Sequence, residues 1–259
     1  MTAESSSANY RGPEILAAGQ MLTVPDGYPL LATWAPENTG RAVRSAAEAR
    51  RAVDEQVDSG ACIIKVALNS IAGPTLDAAT LGAIVEAAHA YGLRVTGHVY
   101  GLSELQKALD AGMDELAHML MSPESIPSAI LKRMVNQSMT VVPTLSCFFD
   151  GGQTIAVDNL RAFLDAGGHF VYGTDLGNEG PRPGIDPREV DALARAGVSA
   201  NDIVASATTR AADYLGLTDR GALEPGLRAD VAAVLWAPGG EPTELTQVGM
   251  VWRRGRRIR

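Results

Sequence analysis

The sequence predicts an α/β fold: a (β/α) barrel of TIM type, incomplete or modified, with a small β appendage at the C-terminal end. Three observations predict it. Short β-like runs alternate with longer amphipathic stretches, the pattern of parallel strands joined by crossover helices. Several of the amphipathic stretches stop at a glycine just before the next run, as at Gly60, Gly92, Gly112 and Gly167, the left-handed cap that returns a helix to a parallel sheet. Polar residues gather at or near the carboxyl ends of the runs, namely Lys65, His98, His118, Thr144 and Asp175, and barrel folds place their chemistry at that end. An open doubly wound sheet is the competing architecture, but it usually carries a glycine-rich phosphate turn after an early strand. Neither GxGxxG nor GxxxxGK[ST] occurs.

Taken in order, residues 1–12 are small and polar and read as a flexible start. The strand runs are Glu14–Ala18, Ala61–Leu68, Leu93–Val99, Glu115–His118, Thr140–Leu145 and His169–Thr174, which makes about six βα units. Between them, Ala46–Ser59, Asp77–Tyr91, Ser103–Ala111, Pro127–Asn136 and Asn159–Ala166 carry apolar residues at helical spacing. The glycine- and proline-rich segment Leu176–Asp186 reads as a loop at the barrel mouth. After about residue 213 the pattern changes. Residues 221–236 lead into a strand, and Gln247–Trp252 with Arg256–Arg259, split by Arg254-Gly255, reads as a hairpin. The expected organisation is therefore 1–12 flexible, 13–213 barrel and 214–259 appendage.

Composition narrows the functional classes. With 22 Lys+Arg against 30 Asp+Glu the net charge is −8, so no field attracts nucleic acid or an anionic membrane. Four histidines and two distant cysteines leave no disulfide framework, which suits a reducing cytoplasm, and Cys62 and Cys147 read as buried small apolar residues. The first residues lack the basic and apolar regions of a signal peptide, and no apolar run reaches the length of a membrane span. The arginines of Trp252–Arg259 read as a solvated strand face.

The strand ends carry the chemistry. Lys65 lies inside an apolar strand, where an unpaired ammonium is costly. His98 and His118 end consecutive strands, and Asp175 ends a later one. Two imidazoles and a carboxylate on neighbouring strands suit zinc. His89, on a helix face, and His169, at the start of its strand, read as structural. For the others the bland alternative is polar residues satisfied in the barrel interior, with Lys65 paired to Asp175 or Glu115.

These residues sit in motifs. Gly12-Pro-Glu-Ile-Leu-Ala-Ala-Gly19, Ile63-Ile-Lys-Val66, Ala87-Ala-His89, Gly97-His-Val-Tyr-Gly101, Ala111-Gly-Met-Asp-Glu-Leu-Ala-His118, Val142-Pro-Thr144, Tyr172-Gly-Thr-Asp175, Ala207-Thr-Thr-Arg-Ala-Ala212 and Gly221-Ala-Leu-Glu-Pro-Gly-Leu-Arg-Ala-Asp230 follow one another over nearly the whole chain. In that order they resemble the imidazolonepropionase-like and prolidase-like branch of the amidohydrolase superfamily. The resemblance implies a barrel whose mouth binds one or two divalent metals. The lysine matched by Lys65 is carbamylated and bridges the metals. The histidines matched by His98 and His118 bind the second metal, and the aspartate matched by Asp175 binds the first and shuttles the proton of the attacking hydroxide. Tyr100 resembles a substrate-contacting residue, and Thr144 is expected to share that role. The family's first barrel strand carries a His-x-His pair, and no His-x-His occurs here. The first segment resembles the family's third strand, so two units and the first metal's main ligands are missing from the pattern.

The leading expectation is metal-assisted hydrolysis of an amide, lactam, ester or related bond in a small molecule. One divalent ion, zinc by donor type, would be held by His98 and His118 with Asp175 or modified Lys65, and Asp175 would act as general base. Two alternatives stay open. One is a metal-independent acid–base enzyme, an isomerase, cyclase, lyase or decarboxylase reusing Lys65, His98, His118 and Asp175. The other is a non-catalytic pseudoenzyme subunit. Unpaired edges near Glu14–Ala18 and Tyr172 predict a homo-oligomer or a partner chain that covers them.

Overall fold

The structure is a computed structural model, and it describes all residues except 1, 8, 123–124, 149, 178–180 and 238. Residues 178–180 of the expected mouth loop therefore lie outside the described residues.

After a short helix α1 (Thr2–Ser5), the chain lays down β1 (Met21–Thr23) and β2 (Gly40–Ala42), then helix α2 (Ala46–Asp58). Four βα units follow: β3 (Ile64–Asn69) with α3 (Ala78–Ala90), β4 (Val95–Tyr100) with α4 (Leu102–Ala111), β5 (Glu115–Ala117) with α5 (Ser128–Asn136), and β6 (Thr140–Val142) with α6 (Asp150–Asp165). Strand β7 (His169–Phe170) precedes helices α7 (Pro187–Arg195), α8 (Ala200–Ala207) and α9 (Thr209–Tyr214). The strands form one parallel sheet in the order β2-β1-β3-β4-β5-β6-β7, and among the described residues its two edges do not pair, so the barrel is not closed. A separate antiparallel sheet holds β8 (Val231–Val234), β9 (Val248–Arg253) and β10 (Arg256–Arg257).

Alternation along the central strands sorts structure from chemistry. Ile64, Val66 and Leu68 on β3 are fully buried beneath the helices, as is Val95 on β4, and each such side chain contributes about 1.5–3 kcal/mol. The opposite residues face the barrel interior in register. Lys65 pairs with Thr96, Thr96 with Glu115, Glu115 with Thr140 and Thr140 with His169. One step toward the carboxyl ends, Ala67 pairs with His98 and His98 with Ala117. Gly97, on the helix face beside His98, leaves room for α4 and its cap, because a Cβ there would stand 2.4 Å from Met113 Cε.

The helix boundaries follow local chemistry. The side chains of Ser45 and Asp77 cap α2 and α3 by accepting from Glu48 N and Thr80 N. Gly112 closes α4 at φ 76°, a conformation in which a Cβ is strained.

Three expectations need correction. Glu14–Ala18 is not a strand. It runs beside β3 with Ala17 O accepting from Cys62 N at 2.9 Å, and the edge of the sheet is built by β1 and β2, whose three-residue lengths leave no alternation to read. Helix α6 begins nine residues before Asn159, through Gly151 and Gly152, which read as breakers. Cys62 is exposed rather than buried. The C-terminal hairpin forms as expected, turning through Arg254 and Gly255 at φ 50° and 75°.

The appendage is tied to the barrel's start. Glu14 accepts from Arg220 and Arg228, 2.8 Å each, and those guanidiniums hold its carboxyl down at about 2. Arg253, buried in β9, donates to Ser7 O at 3.0 Å. At the other edge, Tyr172 N donates to Ser206 O at 3.1 Å, so α8 covers the strand end beyond β7. Among the described residues no helix is long and apolar enough to cross a membrane.

Candidate functional site

A cavity of about 550 Å³ opens at the carboxyl ends of the parallel strands, a size typical of small-molecule sites. Lys65, His98, His118 and Asp175 all line it, together with Cys147. Four of the predicted site residues thus converge. Tyr100, at the last position of β4, and Thr144 are not among the lining residues.

Three strand ends are held in an unusual backbone. His118 follows β5 at φ 73°, Thr144 follows β6 at φ 48° and Asp175 follows β7 at φ 53°. Left-handed φ at non-glycine residues costs on the order of 1–3 kcal/mol each, most for a β-branched residue, and clusters where function overrides local preference. Here it turns the chain sharply at three neighbouring strand ends. His118 Nδ1 lies 2.8 Å from Thr144 Oγ1 and 3.9 Å from Asp175 Oδ2. Thr144 is only 3 % exposed, and its hydroxyl is engaged with the His118 ring.

The turn after Thr144 is a single 3-10 turn, Leu145–Cys147. It brings Cys147 Sγ within 2.9 Å of Thr144 O and 3.5 Å of Thr144 Oγ1. Burial pushes this thiol up to about 11, so at neutral pH and without a metal it is protonated. One ligand atom each from His118, Cys147 and Asp175 lies within 4.8 Å of the others. Glu189, reaching in from α7, fixes the same turn by accepting from Ser146 N at 2.6 Å, and burial raises its carboxyl to about 7.

His98 is held differently. Its ring stacks on Tyr28 with centroids 4.6 Å apart and meets His118 edge-on at 4.9 Å. Asn69 Oδ1 accepts from Ile71 N and Ala72 N, which turns Asn69 Nδ2 toward His98 Nε2 at 3.3 Å. That nitrogen must then accept, which assigns the proton of the neutral ring to Nδ1. Burial, His118 and the positive charge of Lys65 push His98 down to about 3; burial and Lys65 do the same to His118. Both rings are neutral at pH 7.

The donors fit a divalent ion. Nitrogen, sulfur and oxygen together suit zinc, and three protein ligands leave the fourth position that a catalytic site keeps for water or substrate. Sequence reasoning placed His98, His118 and Asp175 or modified Lys65 in such a set and gave Cys147 to the core; His98 and Lys65 line the same cavity but are not part of this group. No spacing signals Cys147, because it reaches His118 only through the left-handed bend at Thr144. Tyr28 and Trp34, from the segment joining β1 and β2, also line the cavity. Their one signal is aromatic residues in a proline-rich loop of a chain with only 5 % aromatics.

Comparison with known proteins gives the chain a family and a fold shared with solved structures. Residues 3–257 match the family described as the amidohydrolase family. The imidazolonepropionase of Deinococcus deserti is 38 % identical over 103 residues, which is 38 % of this chain and 26 % of that protein. An uncharacterized protein of Mycobacterium tuberculosis is 27 % identical over 278 aligned positions, covering 94 % of this chain and 69 % of its own. Among solved structures, a Xaa-Pro dipeptidase with bound methionine in the active site superposes with a TM-score of 0.83 at 24 % identity, over 99 % of this chain and 70 % of that one. At that identity the likeness is one of fold.

Proposed function

This chain belongs to the amidohydrolase family, and from that premise we propose that its mouth cavity hydrolyses an amide, lactam or ester bond of a small molecule with the help of one divalent metal. The observation that carries the proposal is the meeting of His118, Cys147 and Asp175 at the ends of adjacent strand units, in one cavity with Lys65 and His98.

His118, Cys147 and Asp175 would hold the ion. Bound there, zinc would polarise the scissile carbonyl and acidify water. Asp175, at the rim of the cavity, accepts a proton from the attacking water as the new C–O bond forms. It returns that proton to the leaving nitrogen or oxygen as the scissile bond breaks. The positive charge of Lys65 stabilises the negative charge that develops on the carbonyl oxygen. Thr144 keeps His118 in one orientation. His98, with Nε2 engaged by Asn69, presents its Nδ1–H as a donor.

A second reading has its own support. His98 Nε2 and the Cys147 sulfur are both engaged in hydrogen bonds within the chain, an arrangement that suits acid–base chemistry without metal, with Asp175 as the base. Turnover of a panel of amides, lactams and esters separates the two. The hydrolase reading expects zinc-loaded protein to cleave at least one member, chelator to abolish the rate and zinc to restore it. Turnover unaffected by chelator favours the metal-free reading, and no turnover with or without zinc removes the hydrolase.

A further inference from the structure

The cavity has two unlike walls. One carries the ionisable groups. The other is apolar and comes from two directions: Tyr28, Trp34 and Pro36 from the segment between β1 and β2, and Met121, Phe148 and Leu176 from the loops after β5, β6 and β7. The chain has four Phe, six Tyr and three Trp, so placing Tyr28, Trp34 and Phe148 around one opening concentrates a scarce residue type.

Their roles are not equal. Tyr28 is committed to His98, stacked on its ring, and Phe148 meets His118 edge-on with centroids 6.4 Å apart. Trp34 stands beside Tyr28 at 6.0 Å yet is 60 % exposed, and Leu176 is 59 % exposed. Large apolar side chains left open at a cavity rim mark a surface that a ligand covers. The charged wall is balanced. Among the described residues that line it, Lys65 and Asp175 bring one charge of each sign, and no arginine is present. A substrate with a free carboxylate would find no bidentate guanidinium partner here.

We propose that this pocket selects an uncharged substrate carrying a flat aromatic group, which lies against Trp34 while the scissile carbonyl faces His118 and Asp175. Trp34 is then the specificity-determining residue, and it acts on binding rather than on bond cleavage. The proposal deepens the hydrolase reading by naming the substrate class, but the aromatic wall can be tested without turnover.

The test is equilibrium binding by calorimetry to the purified zinc-supplemented protein. The probes are N-(2-naphthyl)acetamide, N-methylacetamide and the zwitterionic dipeptide alanyl-proline. We expect the naphthyl amide to bind at least about 10-fold tighter than the dipeptide, a gap set by the stacking and burial of one aromatic ring. Trp34→Ala should weaken the naphthyl amide by on the order of 10-fold, while Trp34→Phe, which keeps a flat ring, recovers most of the loss. Trp34 lies outside the core, and a melting curve confirms that each variant folds. Equal or tighter binding of alanyl-proline, or naphthyl binding indifferent to Trp34→Ala, overturns the proposal. Naphthyl binding that depends on Trp34, with no member of the amide, lactam and ester panel hydrolysed, upholds the aromatic wall and removes the hydrolase reading instead.

Discussion

The parallel sheet has a cavity at each end, about 550 Å³ at the carboxyl ends of the strands and about 560 Å³ at their amino ends. Both contain histidine, aspartate and a basic residue, yet they are built on opposite terms. At the amino ends Asp114, His169 and Arg94 each have a partner within the chain. Asp114 accepts from Val95 N at 2.7 Å and meets His89 at 2.9 Å, His169 bonds Thr140, and the Arg94 guanidinium lies 4.4 Å over the Tyr214 ring. Among the described residues that line this cavity, Ser138 alone of the non-glycine residues has a left-handed φ, at 54°. At the carboxyl ends His118, Thr144 and Asp175 all do, two histidines are held neutral, and apolar side chains are left open at the rim. Volume and residue type do not distinguish a site from a structural pocket here. Three strained positions following neighbouring strands, with donors that converge, do.

The sharpest way to break the contrast is to change two residues at the carboxyl end and one at the amino end. Asp175→Asn removes the proposed proton acceptor and should lower hydrolysis by on the order of 10³-fold with the fold intact; a loss below about tenfold would move the base elsewhere. Thr144→Val keeps shape and loses the hydroxyl that orients His118. We expect kcat to fall about tenfold, KM to hold and Thr144→Ser to rescue the rate. At the amino end, Asp114→Ala deletes two hydrogen bonds and should destabilise by about 1–2 kcal/mol, read from denaturant midpoints, with kcat unchanged.

The smallest effect lies in the appendage. Two arginines hold the Glu14 carboxyl at about 2, below its ordinary 4.5. A depressed carboxylate contributes stability that is complete above the unfolded value and lost as pH falls through the folded one. Glu14→Gln should therefore flatten the decline of stability between pH 5 and 2 by about 1 kcal/mol. An identical slope in both proteins would show that the Glu14 bridge contributes nothing.

Much of this was legible in the sequence. Alternating runs and glycine caps announce β3 to β7, helices α2 to α5 and the later part of α6, while α7 to α9 were not read. Lys65, His98, His118 and Asp175 announce the mouth by their place at strand ends. The edge strands escaped because three residues carry no period. Cys147 escaped because a left-handed threonine, unreadable from composition, bends it back toward His118. Glu189 arrives from α7, more than forty residues along the chain from the turn it holds. What reads locally is the scaffold and the strand-end chemistry; what the bends and crossings bring together does not.

Zinc content after exhaustive dialysis tests the central claim most directly. The wild-type chain should retain about one zinc per molecule, and His118→Ala, folded to the same melting temperature, should retain almost none. Equal zinc in both proteins would contradict the site assigned to the barrel mouth, and no zinc in either would contradict the metal-assisted reading itself.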